Sequence, residues 1–273
     1  MCTAIVGFDP EAAVPLLLVA VRDEMVERGW EGPDRHWPRY PELLGGRDPR
    51  EGGTWLAVRT SGGRGSGPRV GALLNGWPRG DRTPTLEPTV PADVDRLSRG
   101  RLPLLMAQYG RLGLGTEELH RYEPFHLLGA DAESAVLYSW DGRDLAVQSL
   151  PPGVSVLVNS GLDPDEPRAK RYTPLFEETR PRPGADVLHT ATEPGEVWGA
   201  WPRLVDEAAR GPARTGGLGR APDDPSSLIA RADLGEHGVW ASGSVSLVAC
   251  SEREARYAFT GAPGDPTAWR MLL

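Results

Sequence analysis

The chain has 273 residues, 39% of them hydrophobic, which is ample for a substantial core. Its net charge of −8 is spread without a long single-sign block, which argues against a nucleic-acid partner. Two cysteines, Cys2 and Cys250, are too few for a disulfide framework or a zinc site and fit a reducing, cytoplasmic setting.

Residues 2–8 and 15–22 are apolar, β-branched runs joined by Asp9-Pro10-Glu11, and they predict a hairpin that begins an antiparallel sheet. The second run is too short to span a bilayer, and no basic flank or small-residue cleavage site marks it as a signal sequence. It ends in the charged triplet Arg22-Asp23-Glu24. Residues 30–53, rich in Trp, Pro, Gly and Arg, predict a loop in which Gly45-Gly46 and Gly52-Gly53 permit turns. Thr54 to Arg59 and Arg69 to Leu74 predict a second hairpin with a flexible tip, its last strand closing on Asn75-Gly76. Pro91 to Gly110 predicts a helix stopped by Gly110.

Phe125 to Ala130, Ser134 to Trp140 and Leu145 to Gln148 predict further strands, with Asp141-Gly142 as a hairpin turn. Val154 to Val158 is another strand, and it too ends in an asparagine, Asn159-Ser160-Gly161. Residues 166–178 predict a helix, and the proline-punctuated stretch Arg180 to Gly195 a long loop. Val197 to Ala209 predicts an amphipathic helix with Trp198, Trp201 and Leu204 on one side. Residues 210–226 read as a surface loop or lid. Two strands, Gly238 to Cys250 and Ala255 to Thr260, close the chain. With no repeat and no sharp break in composition, residues 1–273 are expected to form a single domain.

The chemistry concentrates at Cys2. A side chain as small as cysteine favours removal of Met1, which would leave one residue carrying both a thiol and a free α-amine. These groups titrate near ~8.5 and ~8, so the amine can act as the base for its own thiol. Taken alone, Cys2 reads first as a small hydrophobe of an edge strand, and the downstream residues have to raise the nucleophile reading. His36, His120, His126, His189 and His237 show no metal-ligand spacing and read as ordinary surface or core residues. Gly216-Gly217-Leu218-Gly219 lacks the lysine of a phosphate loop. Trp30, Trp37, Trp55 and Trp77 read as core or pocket wall. Any of them above Cys2 would favour a bulky, apolar ligand.

Met1-Cys2, Val21-Arg22-Asp23-Glu24, Leu44-Gly45-Gly46-Arg47-Asp48, Gly52-Gly53-Thr54-Trp55 and Leu74-Asn75 occur in the order and spacing of one family. Ser98-Arg99-Gly100, Tyr122-Glu123-Pro124-Phe125-His126-Leu127-Leu128 and Leu157-Val158-Asn159-Ser160 continue the match. The sequence resembles the Transport and Golgi organisation 2, or NRDE, family. That family is similar at its N-terminus to the cysteine N-terminal nucleophile hydrolases, which include penicillin V acylases and bile salt hydrolases.

The resemblance implies an α+β fold, a four-layer αββα sandwich of two antiparallel sheets. It implies Cys2 as nucleophile, Arg22 and Asp23 beside it, and Asn75 and Asn159 as oxyanion-hole positions. A guanidinium near the thiol would favour thiolate, and a carboxylate would orient the amine. Two positions depart from the family pattern. Val21 stands where the eponymous motif has Asn, and Ala241-Ser242-Gly243-Ser244 stands where relatives place an arginine, for which Arg256 is a poor substitute.

The implied activity is that of a cytoplasmic, cofactor-independent amidohydrolase. It would cleave a linear, non-peptide C–N bond of a small-molecule substrate through a Cys2 thioester, with no nucleic-acid partner and no integral membrane segment. The alternative, proposed for eukaryotic relatives, is a non-enzymatic carrier or chaperone that holds haem or a lipid in the same cleft. Cys2 could then serve as an iron ligand.

Overall fold

The computed structural model describes residues 2–60, 67–77, 89–210 and 223–273. In chain order these hold β1 (Thr3–Phe8), β2 (Leu16–Met25), β3 (Glu31–Asp34), β4 (Leu43–Arg47), β5 (Leu56–Arg59) and β6 (Arg69–Asn75). Next come α1 (Leu102–Tyr109), α2 (Thr116–Leu119), β7 (Phe125–Ala130), β8 (Ala135–Trp140), β9 (Leu145–Ser149) and β10 (Gly153–Leu157). The chain continues with α3 (Pro167–Glu178), α4 (Ala185–Thr190), α5 (Pro194–Trp198), α6 (Trp201–Ala209), β11 (Arg231–Asp233), β12 (Val239–Cys250), β13 (Ala255–Thr260) and β14 (Arg270–Met271).

The strands form two antiparallel sheets. The first runs β10-β1-β2-β12-β13-β14, with β11 added on β12, and the second runs β3 to β9 in sequence order. In the first sheet β12, from the far end of the chain, pairs with β2 from Cys250 opposite Leu16 to Trp240 opposite Met25. The C-terminal strands therefore complete the sheet that the first residues begin.

Alternation along each strand sorts the side chains into layers. On β1, Ala4, Val6 and Phe8 face the second sheet and pack with Leu18, Leu56, Val70, Leu128 and Leu137. Ile5 points the other way. With Val19 and Val21 of β2 it meets Tyr172 and Phe176 of α3, Trp198 of α5 and Trp201 of α6. Both faces of these strands are covered, which is why β1 and β2 read as unbroken apolar runs rather than as alternating ones. The outer face of the second sheet is covered by α1, where Leu102 and Met106 pack with Phe125, Leu127 and Trp140. The layers are helix, sheet, sheet, helix, as expected.

Several elements differ from expectation for local reasons. Gly45 and Gly46 lie within β4 and not in a turn. A Cβ on Gly45 would run into the Leu56 carbonyl, and one on Gly46 into the Trp55 ring, so these glycines permit close approach of neighbouring strands. Only the second half of 91–110 is α-helical. It begins where Pro103 supplies a first-turn proline and ends at Gly110, whose φ of +69° makes the left-handed cap.

Arg180 to Gly195 is not a continuous loop: it contains α4 and the start of α5, where Pro194 is again an N-terminal helix residue. The helix expected over 197–209 is two, because Gly199 takes a φ of +55° between α5 and α6. The expected lid at 210–226 falls largely outside the described residues, as does most of the tip between β5 and β6. Among the described residues no helix is long and apolar enough to cross a membrane.

Candidate active site

At one end of the inter-sheet layer the apolar side chains give way to polar ones. Ala4 pairs with Leu157 of β10, and Thr3 with Val21 of β2. Continued to Cys2, two residues beyond Ala4 and one beyond Thr3, these registers set it opposite Asn159 on one side and Arg22 on the other. Arg22 is itself paired with Ser244 of β12. Residues directly opposite in an antiparallel ladder share a face. Asn159, Cys2, Arg22 and Ser244 therefore form one row, on the face that Ala4, Leu18 and Leu157 turn toward the second sheet.

Cys2 is half-buried, and its Sγ donates to the Asp23 carbonyl oxygen at 3.5 Å. Burial, followed by the charge of the Asp23 carboxylate, pushes its thiol pKa up. This direction is opposite to the one expected from a nearby guanidinium, and Arg22 is engaged by other groups. Its guanidinium sits 3.7 Å from Glu24 and stacks on the ring of Trp55, with 4.9 Å to the centroid, while the Trp30 centroid lies 5.9 Å away. Trp30 in turn meets Trp55 and Phe259 edge-on, at 6.1 and 5.8 Å. Two of the four tryptophans singled out from the sequence thus flank Arg22. Trp37 packs in a separate cluster with Leu43 and Leu104.

Asp23 is locked in place. Ser242 Oγ donates to its Oδ1 at 2.5 Å, and Arg168 Nη1 lies 3.6 Å from its Oδ2. The same Nη1 donates to Thr3 Oγ1 at 2.5 Å. Arg168 and Asp23 both have almost inaccessible side chains, so this is a buried ion pair laid beneath the start of β1.

Arg168 was not among the residues expected in the site, yet the sequence carried a signal for it. It precedes Tyr172 and Phe176 at four-residue intervals, on the face of α3 that is buried, so helical periodicity alone places a charge in the core. Glu166 caps that helix by accepting the amide N–H groups of Arg168 and Ala169. Ser242, in the stretch where the family pattern leads one to expect an arginine, reaches Asp23 beside a register shift between Ser242 and Ser244.

Asn159 is buried. Its Nδ2 donates to the main-chain carbonyl of Asn75 at 2.7 Å, which ties the first sheet to the second. Its Oδ1 is enclosed and accepts no hydrogen bond from the described residues. Its own carbonyl lies 3.1 Å from His126 Nε2, and His126 Nδ1 lies 2.8 Å from Ser139 Oγ.

The two asparagines expected together are placed differently, Asn159 buried and Asn75 exposed. Asn75 is exposed and shares the parity of Leu73, which packs toward α1, so only its backbone enters the cleft. His126, read from sequence as an ordinary histidine, belongs to the site. Cys250, the other thiol, lies deep in the inter-sheet core, and burial pushes its pKa up to about 12.

The family model described as Transport and Golgi organisation 2 matches residues 1–186. The chain belongs to that family. In this member of the Transport and Golgi organisation 2 family the matched span contains Cys2, Arg22, Asp23, Asn159, His126 and Arg168, whereas β12 with Ser242 lies beyond it. Val21, which replaces the motif's asparagine, is packed on the helix-covered face of the first sheet, so a side chain there points away from Cys2. No curated protein sequence matches the chain. Among solved structures, one that matches is the Caenorhabditis elegans ortholog of N-acylethanolamine-hydrolyzing acid amidase. It is 11% identical over 58% of this chain and 70% of that one, with a TM-score of 0.33.

Proposed function

We propose that this protein is an N-terminal-cysteine amidohydrolase acting on a linear, non-peptide amide of a small molecule. The observation that carries the reading is the row itself: a half-buried thiol at the head of a central strand, bonded to the Asp23 backbone, with Asn159 and Arg22 in register on either side. Removal of Met1 would free the Cys2 α-amine next to Sγ. Burial raises the thiol pKa, and the amine is the base covalently at hand to take its proton.

In the proposed cycle the amine takes the thiol proton and the thiolate attacks the amide carbonyl carbon. Negative charge then develops on the carbonyl oxygen. Asn159 has one Nδ2 hydrogen committed to Asn75 and a second with which to stabilise that oxygen, an interaction typically worth about 3 kcal/mol. Collapse breaks the C–N bond, and the leaving nitrogen takes the proton held by the α-ammonium. The resulting thioester is attacked by water, from which the amine removes a proton. The acid departs and the thiol is restored. Asp23, fixed by Ser242 and Arg168, orients the amine, and the Trp30 and Trp55 rings offer an apolar wall to the substrate.

The test is intact-protein mass spectrometry after exposure to an electrophilic acyl probe. The expected result is a chain lacking Met1 that gains one acyl group, with the adduct absent in Cys2→Ala. Retained Met1, or labelling indifferent to Cys2, overturns the reading. A haem Soret shift abolished by Cys2→Ala, with no acyl adduct, would put the carrier reading in its place.

A further inference from the structure

His126 stands on β7 in register with Leu74 of β6 and Ser139 of β8. Leu128 and Ala130, two and four residues along, fill the inter-sheet core, so alternation turns His126 toward the first sheet. There its ring is held at both nitrogens. The carbonyl of Asn159, 3.1 Å from Nε2, can only accept, so Nε2 carries the proton. Nδ1, 2.8 Å from Ser139 Oγ, is then the acceptor of that hydroxyl in a neutral ring. Burial favours the neutral ring by lowering its pKa.

The turn that bears Asn159 is shaped around this ring. Val158 and Gly161 exchange backbone hydrogen bonds of 2.8 and 3.1 Å across it. Gly161 has a φ of +83°, and a Cβ there would meet the imidazole at 2.9 Å. Asn159 is thus fixed twice from the second sheet, through its side chain by Asn75 on β6 and through its backbone by His126 on β7.

We propose that His126 is a positioning residue for the reaction. It anchors the Asn159 backbone so that the carboxamide directs its remaining N–H at the oxygen that becomes negative when Cys2 is acylated. This rests on the roles given above to Cys2 and Asn159. It assigns no proton transfer to the imidazole.

The test compares two reactions of the same thiol in the full-length chain. Acylation by p-nitrophenyl acetate passes through a tetrahedral oxyanion, whereas alkylation by iodoacetamide displaces iodide without one. In His126→Leu the ratio of acylation to alkylation rates should fall about tenfold or more, a part of the 10²–10³ that loss of a whole oxyanion donor costs. His126→Gln, which can still donate to the Asn159 carbonyl, should recover part of it. Should the leucine variant fail to fold, His126→Phe, which keeps an aromatic ring in the space but cannot donate to the Asn159 carbonyl, is read in the same way.

A ratio within about twofold of wild type, or two rates that fall together, would reduce His126 to a structural residue and overturn the proposal. A wild-type Cys2 that neither reagent modifies would overturn the nucleophile reading as well, so the two failures are distinguishable.

Discussion

The two cysteines occupy opposite ends of one layer, and their contrast shows how this fold separates packing from chemistry. Cys250 is opposite Leu16, among Phe8, Ala135 and Leu137, with no accessible surface and a thiol that burial makes inert. Cys2 lies on the same inner face, where Arg22, Asn159, His126, Ser139 and Ser244 replace the leucines. The strands are the same at both ends: β2 runs from Leu16 to Arg22, β7 from Ala130 back to His126, and β12 from Cys250 back to Ser244. A sheet sandwich must fill its interior, but the last residue or two of each strand can be given to polar groups if they satisfy one another. Here they largely do. Among the described residues the exceptions at this end include Asn159 Oδ1 and Ser244 Oγ, in the row with Cys2, Ser160 Oγ next to Asn159, and Trp55 Nε1 on the ring that stacks on Arg22.

The largest expected effect comes from breaking the polar end at its anchor. Arg168→Leu strips Asp23 and Thr3 of a buried charge partner and should cost about 3–5 kcal/mol of stability, measurable by urea denaturation. A loss under about 1 kcal/mol would mean that the pair holds little of the site together. Next, Asn159→Ala should lower the rate of Cys2 acylation by about 10²–10³. A rate close to wild type would show that the oxyanion is stabilised elsewhere.

A matched pair of serine substitutions sharpens the comparison directly. Cys250→Ser puts a hydroxyl into a dry core and should cost about 1–3 kcal/mol, whereas Cys2→Ser, at the polar end, should stay within about 0.5 kcal/mol of wild type. Equal losses would erase the distinction between the two ends.

The smallest effect is one of pH. The folded-state pKa of His126 is depressed, so its contribution to stability is fully present above the unfolded value of ~6.5 and is lost as pH falls below it. The midpoint of urea unfolding should therefore fall on acidification through that range, and less steeply in His126→Gln. A variant with the wild-type slope would place the pH dependence on other groups.

Much of the fold could be read from residues because its strands announce themselves. β1, β2, β12 and β13 are apolar runs bounded by turn residues, and Gly110 stops its helix as expected. Cys2 is visible as a thiol at the head of the first strand, and Arg22, Asp23 and Asn159 as charged or amide residues at strand ends, with the family pattern picking them out. What stayed hidden depends on contacts between distant segments. Arg168 meets Thr3 across 165 residues and Asn159 meets Asn75 across 84, separations that no local periodicity reports. His126 was overlooked because a histidine between Phe125 and Leu127 looks like filler until Ser139 and Asn159 appear on its two nitrogens. Gly45 and Gly46 misled for the opposite reason: glycine signals both a turn and a tight approach, and only the neighbour across the strand tells which.

Ser242 follows its partner Asp23 by 219 residues. At about 5–20 residues per second on the ribosome, the interval between them is on the order of 10–40 s. Through that whole interval the Asp23 carboxylate would lack the hydroxyl that clamps it, and a product truncated before β12 would never acquire it.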